Sequence, residues 1–157
     1  AIESWYHFAI LNLLESVPRP GTVKDIGSRL GINFIEAKLA LDRLEKLGLI
    51  VYDGQTWKCN EGRVDTPTDI PSLAIRKYHH QMLAKASAGL NEQDPTEREI
   101  SGVGMAFDPK NLKAIKKDIS EFQDAMIEKY SGVGKPTEVY QMEFAFFKLS
   151  KSGEKNE

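Results

Sequence analysis

Cysteine is nearly absent from this chain of 157 residues, in which Cys59 is the only one. A single cysteine excludes an internal disulfide and leaves no thiol cluster for a metal, which is typical of a reducing compartment. No stretch approaches the roughly 18 apolar residues of a membrane span, and no signal-like segment opens the sequence. We therefore expect a cytoplasmic protein with no membrane partner. Because the chain starts at Ala1 rather than at a methionine, we also expect it to be part of something longer.

An excess of positive charge is lacking too. The formal net charge is −2 and the isoelectric point is about 6.0. Acidic and basic residues balance within residues 1–63, and the negative excess falls on residues 64–157. Duplex DNA binding draws much of its affinity from phosphates that Lys and Arg neutralise. A neutral DNA-binding unit would therefore need to gather its basic residues on one face.

Motifs for catalysis, cofactors or metals are missing as well. The Gly-rich run at residues 132–135 lacks the first glycine and the Ser or Thr of a phosphate loop, and residues 102–104 lack the third glycine of a dinucleotide fingerprint. His79 and His80 are adjacent, so on a helix they point about 100° apart and cannot chelate one metal. No Ser or Cys lies in a nucleophile setting. We expect no enzyme, no cofactor and no metal, and we expect His79 to be a buried, hydrogen-bonded core residue.

The order helix, turn, helix, hairpin is what the sequence does contain, between residues 23 and 59. Helical spacing of apolar residues precedes a corner at residues 31–33, and a second helix follows that Gly48 closes. Residues 49–52 and 56–59 alternate around Asp53-Gly54, the favoured dipeptide of a two-residue hairpin turn. This order is typical of a winged helix-turn-helix, which we assign to residues 1–63. The predicted inward face of the second helix comprises Ala37, Ala40, Leu41, Leu44 and Leu47.

The first helix and the second half of the chain complete an α+β fold. Residues 4–16 form a helix that is apolar nearly all round, which predicts burial on more than one side. A polar linker at residues 61–69 leads to a long helix at residues 72–90 and then to a strand-helix-strand unit. We assign residues 64–149 to this second domain, for oligomerisation or regulation, and residues 150–157 to a disordered tail. The residues that share one face of the long helix are Ile75, His79, Met82, Ala86 and Leu90.

The strand-helix-strand unit cannot stand alone. Its predicted strands, residues 98–107 and 139–149, are too few for an independently stable sheet, and the second has apolar residues on both faces. The 72–90 helix could cover one face, and strand edges of two copies could pair. We therefore predict a homodimer, with Tyr140, Phe144 and Phe146 as partner-binding residues.

The outward face of the second winged-unit helix is the remaining candidate site. The 100° step per residue places Ile35, Lys38, Leu39, Asp42 and Lys46 there. Two aliphatic side chains and a carboxylate read base edges poorly. Two interpretations stay open: weak, salt-dependent DNA contact through Lys38, Lys46 and Lys58, or protein contact through Ile35 and Leu39. For this face we favour protein contact through its aliphatic side chains, and we interpret its positively charged residues as plain solvated surface.

Several short motifs along nearly the whole chain resemble a bacterial paralogous family whose C-terminal region is catalogued as a domain of unknown function. They are Trp5-Tyr6-His7, Ala40-Leu41 through Leu44, Leu47-Gly48-Leu49-Ile50, Ile75-Arg76-Lys77-Tyr78-His79 with Gln81-Met82, Arg98-Glu99-Ile100-Ser101 and Val139-Tyr140-Gln141. The resemblance implies a winged-helix protein that is usually preceded by an N-terminal region resembling a helix-turn-helix, an arrangement that suggests a regulator. It brings no catalytic residues.

Together these features favour a non-enzymatic regulatory protein of the transcription-regulator type. The alternative is a protein-interaction scaffold that uses the winged fold without binding nucleic acid.

Overall fold

The computed structural model describes residues 4–60 and 72–153. Within these ranges, five α-helices and one two-stranded antiparallel sheet give the mixed α and β content that the sequence predicts. The predicted linker at residues 61–69 and the last residues of the predicted tail lie outside the described ranges. The elements are α1 (Trp5–Leu13), α2 (Val23–Leu30), α3 (Phe34–Lys46), β1 (Ile50–Tyr52), β2 (Trp57–Cys59), α4 (Ser72–Glu92) and α5 (Leu112–Tyr130), the last preceded by a 3₁₀ turn at Pro109–Asn111.

The corner between α2 and α3 is fixed by local hydrogen bonds. Gly31 ends α2 in the left-handed conformation with φ of 69°, which a glycine adopts without steric cost. Asn33 then begins α3 with a capping box: its side-chain oxygen accepts from the Glu36 amide at 2.8 Å, and its own amide donates to the Glu36 carboxylate at 3.1 Å. Gly27 packs against the corner so closely that a Cβ would lie 2.9 Å from the Ile32 carbonyl oxygen. The orientation of α3 is therefore set by the sequence of the corner.

The core lies where α1, α2, α3 and β1 meet. Four of the five residues predicted to face inward on α3 are buried there, but Leu47 is 56% exposed, so that part of the prediction is wrong. Leu47 is the C-cap of α3, and Gly48 turns the chain away with φ of 73°. Leu47 follows the last residue of α3, so the helical spacing that predicted its burial does not apply to it. The buried cluster comprises Ile10, Leu11, Leu13, Leu14, Ile26, Ala37, Ala40, Leu41, Leu44 and Ile50.

The hairpin turn differs from the prediction by one residue. Tyr52 pairs with Trp57, and the Asp53 amide donates to the Thr56 carbonyl at 3.0 Å. The two central residues are therefore Gly54 and Gln55, with Gly54 at φ of 96°, rather than Asp53 and Gly54. The Asp53 carboxylate instead accepts from the amides of Gln55 and Thr56 at 2.9 and 2.8 Å, and these bonds lower its pKa.

Helix α1 is covered on two sides, as its nearly all-round apolar sequence predicts. One side contributes to the core with α2 and α3, and the other contacts α4. The Trp5 amide donates to the Gln81 side chain at 2.8 Å, and the Lys85 ammonium lies 3.8 Å from the centre of the Trp5 ring. The rings of Phe8 and Tyr78 pack edge to face with centroids 5.2 Å apart. The second element that covers α1 is thus α4, the long helix of the same chain.

The face of α4 that packs is not the one predicted. Met82 is buried, but Ile75 and Leu90 are 42% and 51% exposed. The residues of α4 that contact α1 have the spacing i, i+3 and i+7, one helical step away from the predicted stripe. They are Tyr78, Gln81 and Lys85.

Helix α5 has the predicted position, but the segments on either side of it form no ladder. Residues 98–107 and 139–149 are assigned to no strand, and within the described part of the chain their backbone groups bond to no other backbone group. No residue of α5 is buried. We call residues 98–107 and 139–149 the first and second extended segments. The predicted strand-helix-strand order is therefore realised in its helix only, because a strand requires a partner that the described chain does not supply.

Candidate interaction surfaces

The outward face of α3 presents apolar side chains to solvent. Ile35 is 68% exposed and Leu39 48% exposed. Between them, the Lys38 ammonium lies 3.4 Å from the Asp42 carboxylate, an i,i+4 ion pair whose side chains are about half exposed. We call Ile35, Lys38, Leu39, Asp42 and Lys46 the α3 surface. Its lysine at the centre is already paired with an acid, which reduces its attraction for phosphate.

The three lysines predicted for DNA contact lie on two elements: Lys38 and Lys46 on α3, and Lys58 on β2. Lys46 lies beside Asp42 and Glu45 around a shallow depression on α3. Lys58 is on β2 and instead lines an open groove of about 950 Å³ between the end of α1 and the hairpin, together with Arg19. Arg19 lies 3.8 Å from the Asp53 carboxylate at the hairpin turn. The positive charge of Lys58 is therefore on a different element from the α3 surface, and that of Arg19 in the same groove is paired with Asp53.

His7 is the fully buried histidine of the described residues, and the sequence analysis did not identify it. Its Nδ1 lies 3.0 Å from the Ser4 carbonyl and its Nε2 lies 3.5 Å from an Arg43 guanidinium nitrogen. A neutral ring that donates from Nδ1 and accepts at Nε2 satisfies both contacts. Burial lowers the pKa of His7, and the nearby Arg43 charge lowers it further, against the opposing effect of the Ser4 hydrogen bond. Its spacing to Ile10, Leu11 and Leu14 was the signal in the sequence that would have indicated a core position.

His79, which was predicted to be buried, is exposed on α4 with its side chain 52% accessible. The prediction that it is hydrogen-bonded is confirmed, since its Nδ1 lies 2.6 Å from a carboxylate oxygen of Glu143. The Gln141 amide bonds both the Tyr78 hydroxyl at 2.9 Å and Glu143 at 3.2 Å. Burial raises the pKa of Tyr78, and the Glu143 charge adds to this effect. This polar cluster fastens the second extended segment to α4.

The aromatic residues predicted for partner binding all lie on the second extended segment and are exposed. Tyr140 is 68% exposed, Phe144 43% and Phe146 42%. Phe144 packs edge to face on Phe122 of α5, with centroids 5.9 Å apart, and Phe146 meets Phe107 of the first extended segment at 5.5 Å. The structure thus gathers these residues around one layer made of α5 and both segments, which we call the C-terminal layer. No residue between 90 and 153 is buried.

The C-terminal layer is joined to the first part of the chain by a short crossing. The Val17 amide donates to the Pro136 carbonyl at 3.0 Å, and the Arg29 guanidinium donates to the Thr137 carbonyl. Val139 packs against the core cluster. These contacts set the position at which the second extended segment begins.

Among the described residues, no group of three or more His, Cys, Asp or Glu side chains is arranged to hold a metal ion. The described helices include none that is long and apolar enough to cross a membrane.

Comparison with known proteins places the chain in one family. The sequence profile of DUF4423, a domain of unknown function, matches residues 1–149, and the chain belongs to this family. No curated protein and no solved structure matches it.

Proposed function

We propose that this member of the DUF4423 family is a non-enzymatic regulatory protein of the transcription-regulator type. Residues 1–63 would serve as a winged helix-turn-helix, with α3 in the position of a recognition helix and β1 and β2 as the wing. The C-terminal layer would serve as the dimerisation unit. The observation that carries the proposal is the helix-corner-helix of α2 and α3 followed directly by the β1-β2 hairpin on one shared core.

The chemistry of the α3 surface supports contact with protein rather than base reading. Ile35 and Leu39 offer solvent-exposed aliphatic area, and Phe34 at the start of the helix is 57% exposed. Side chains that read base edges in the major groove are chiefly Arg, Lys, Asn and Gln. The central Lys38 is paired with Asp42. In the proposed regulator, α3 therefore docks on a protein, and DNA contact belongs to the Lys38, Lys46 and Lys58 side chains only as a weak electrostatic contribution.

A second candidate function is a protein-interaction scaffold that never meets nucleic acid. The specific observation in its favour is that the α3 surface presents exposed Ile35 and Leu39 together with Asp42, whose carboxylate repels a phosphate backbone.

Titration of a pool of labelled DNA duplexes separates the two functions. We expect weak binding that falls steeply with salt and is reduced by Lys38→Glu/Lys46→Glu, but is retained by Ile35→Ser/Leu39→Ser. A matched control is Lys113→Glu/Lys117→Glu on α5, which makes the same change in net charge at two lysines of another helix. A loss of binding as large in the control would assign the effect to net charge alone.

The result also decides how α3 is used. Tight, sequence-selective binding that only the α3 lysine changes abolish would refute protein docking by this helix. Absence of DNA binding at low salt would refute the electrostatic contribution and favour the scaffold.

A further inference from the structure

The two extended segments have the geometry of strands but lack strand partners. In the second segment, Gln141 and Glu143 face α4, where they bond Tyr78 and His79, whereas Phe144 faces α5. This alternation of faces is the two-residue period of a β-strand. The backbone amides and carbonyls of both segments nevertheless make no backbone hydrogen bond within the described chain. Helices already lie on both faces of the second segment. The interaction that it lacks is therefore backbone pairing with strands at its edges.

The space between the segments is bridged by side chains. At one end the Tyr140 hydroxyl donates to the Glu97 carbonyl at 2.8 Å, and at the other end Phe107 meets Phe146. The segments therefore run side by side in the same direction. Neighbouring strands lie about 4.8 Å apart and are joined by backbone hydrogen bonds, and none joins these two. The backbone of the first segment has open space beside it, since a Cβ added at Gly102 or at Gly104 would meet no atom within 4 Å.

The accessible surface of the chain shows how much is left uncovered. It amounts to 12228 Å², whereas a compact monomer of 17.6 kDa is expected to expose roughly 7,900 Å². The uncovered area of the C-terminal layer includes the side of α5 that meets the second segment, where Phe122 is 51% exposed and Met126 is 36% exposed. An obligate dimer buries about 2,000–5,000 Å² over both partners, or about 1,000–2,500 Å² per protomer, and the excess is large enough to supply that area.

We propose that the missing strands come from a second copy, whose segments interlock with these. If one strand of the partner enters the space between the two segments, two-fold symmetry requires the same in the other protomer. One strand order fills the space in both protomers and keeps the apolar second segments at the centre. It runs first segment, partner's second segment, second segment, partner's first segment. Because the two segments of one chain are parallel and the two-fold axis reverses the partner's, every neighbouring pair in this four-stranded sheet is antiparallel.

A second copy satisfies this geometry better than an unrelated strand. An unrelated strand would fill one space and leave the outer edge of the second segment unpaired, which is a hazard for aggregation. The interlocked order pairs both edges of each second segment and leaves only the first segments at the outside. The first segment suits an edge, since it contains Gly102 and Gly104 and its Val103 is 94% exposed. The inference deepens the dimerisation named in the proposed function and does not depend on what α3 binds.

Self-cross-linking of single cysteines tests the strand order. In a Cys59→Ser background, Met142→Cys, Phe144→Cys and Phe146→Cys each place one thiol on the second segment, and Met105→Cys places one on the first. Cross-strand Cβ atoms opposite each other lie about 4.5–5.5 Å apart, close enough for oxidation to link the position nearest the two-fold axis. We expect a disulfide-linked dimer that is maximal at one second-segment position and absent for Met105→Cys. Linkage through Met105→Cys but not through the second segment would refute the proposed order.

A proline substitution tests the same pairing without cysteine chemistry. Ala145→Pro removes one backbone donor that has no backbone partner among the described residues, so a monomer should tolerate it. In the interlocked sheet it removes a ladder hydrogen bond of a central strand, and we expect dimer dissociation to become at least tenfold easier by sedimentation equilibrium. Lys151→Pro, beyond the segment, is the matched control and should leave the dimer unchanged.

The outcomes separate the proposal from the function. A wild type that is monomeric at 100 μM, or an Ala145→Pro variant that dimerises as tightly as wild type, would overturn the interlocked dimer. Neither result would bear on the DNA titration, so the regulatory function can fail or stand independently.

Discussion

Two leucines near the end of α3 allow the packing of this helix to be tested by one matched pair of substitutions. Leu44 is fully buried in the core, and Leu47, three residues later, is 56% exposed. Leu44→Ala removes buried methyl groups and leaves a cavity, which lowers the free energy of unfolding by about 2–5 kcal/mol. Leu47→Ala removes the same atoms from a solvated position and should change it by no more than about 0.5 kcal/mol.

The assay is equilibrium unfolding in urea at one fixed protein concentration, followed by tryptophan fluorescence. A fixed concentration is needed because the proposed dimerisation would make the apparent stability depend on the amount of protein. A domain of this kind has a total stability of about 5–15 kcal/mol, so Leu44→Ala should shift the midpoint far more than Leu47→Ala, with an unchanged slope.

Equal costs for the two leucines would refute the orientation of α3. That result would mean that the helix is rotated about its axis, so that Leu47 and not only Leu44 reaches the core. The assignment of Ile35 and Leu39 to the outward α3 surface depends on the same rotation and would fall with it. The stability measurement is thus also a test of the candidate site.

Two further predictions concern buried positions. Because burial lowers the pKa of His7, the unfolded chain binds a proton near pH 6.5 that the native state does not bind until a lower pH. Proton binding by the unfolded chain destabilises the native state, so its stability is full above about pH 6.5 and decreases as the pH falls below that value. Urea midpoints should therefore drop between pH 7.5 and 5.5 in wild type and less in His7→Gln, and an equal drop would assign the effect to another group. Gly27→Ala should lower the melting temperature, because its Cβ would lie 2.9 Å from the Ile32 carbonyl. The control Gly89→Ala, where the nearest atom is 3.8 Å away, should be stabilising by up to about 1 kcal/mol, and the opposite order of the two glycines would contradict the packing of the corner.

The inward face of α3 was largely predictable because helical periodicity fixes which residues share a side. Ala37, Leu41 and Leu44 lie in the core as their spacing indicates. Periodicity fails where a helix ends, which is why Leu47 at the C-cap was misassigned. It also states only that residues share a face and leaves open which face another element covers, so the packed side of α4 could not be read from its sequence.

The two histidines illustrate the same limit. His7 and His79 each lie at apolar spacing on a helix, and only the tertiary packing distinguishes them. Helix α1 is covered by two layers and buries His7, whereas α4 is covered on the side of Met82 and leaves His79 beside Glu143 at the surface. A sequence identifies such candidates but does not rank them when the number of covering layers is unknown.

The extended segments mark a different limit. The alternation in residues 139–149 correctly indicated extended chain with two distinct faces, as the opposite directions of Glu143 and Phe144 confirm. Pairing is a property of two strands, and the sequence of one chain does not state whether its partner is internal. The homodimer therefore stays a prediction.

The crossing of residues 136–139 onto the first part of the chain has a consequence for synthesis on the ribosome. Arg29 donates to the Thr137 carbonyl across a sequence separation of 108 residues. At translation rates of about 5–20 residues per second, Arg29 emerges roughly 5–20 s before its acceptor. Until then the Val17 amide lacks its acceptor, the Pro136 carbonyl, and Val139 is absent from the core. The second side of α1 likewise stays uncovered until α4 has been made. The helices that precede the hairpin, although made before residues 136–139, reach their final packing only after those residues have been translated.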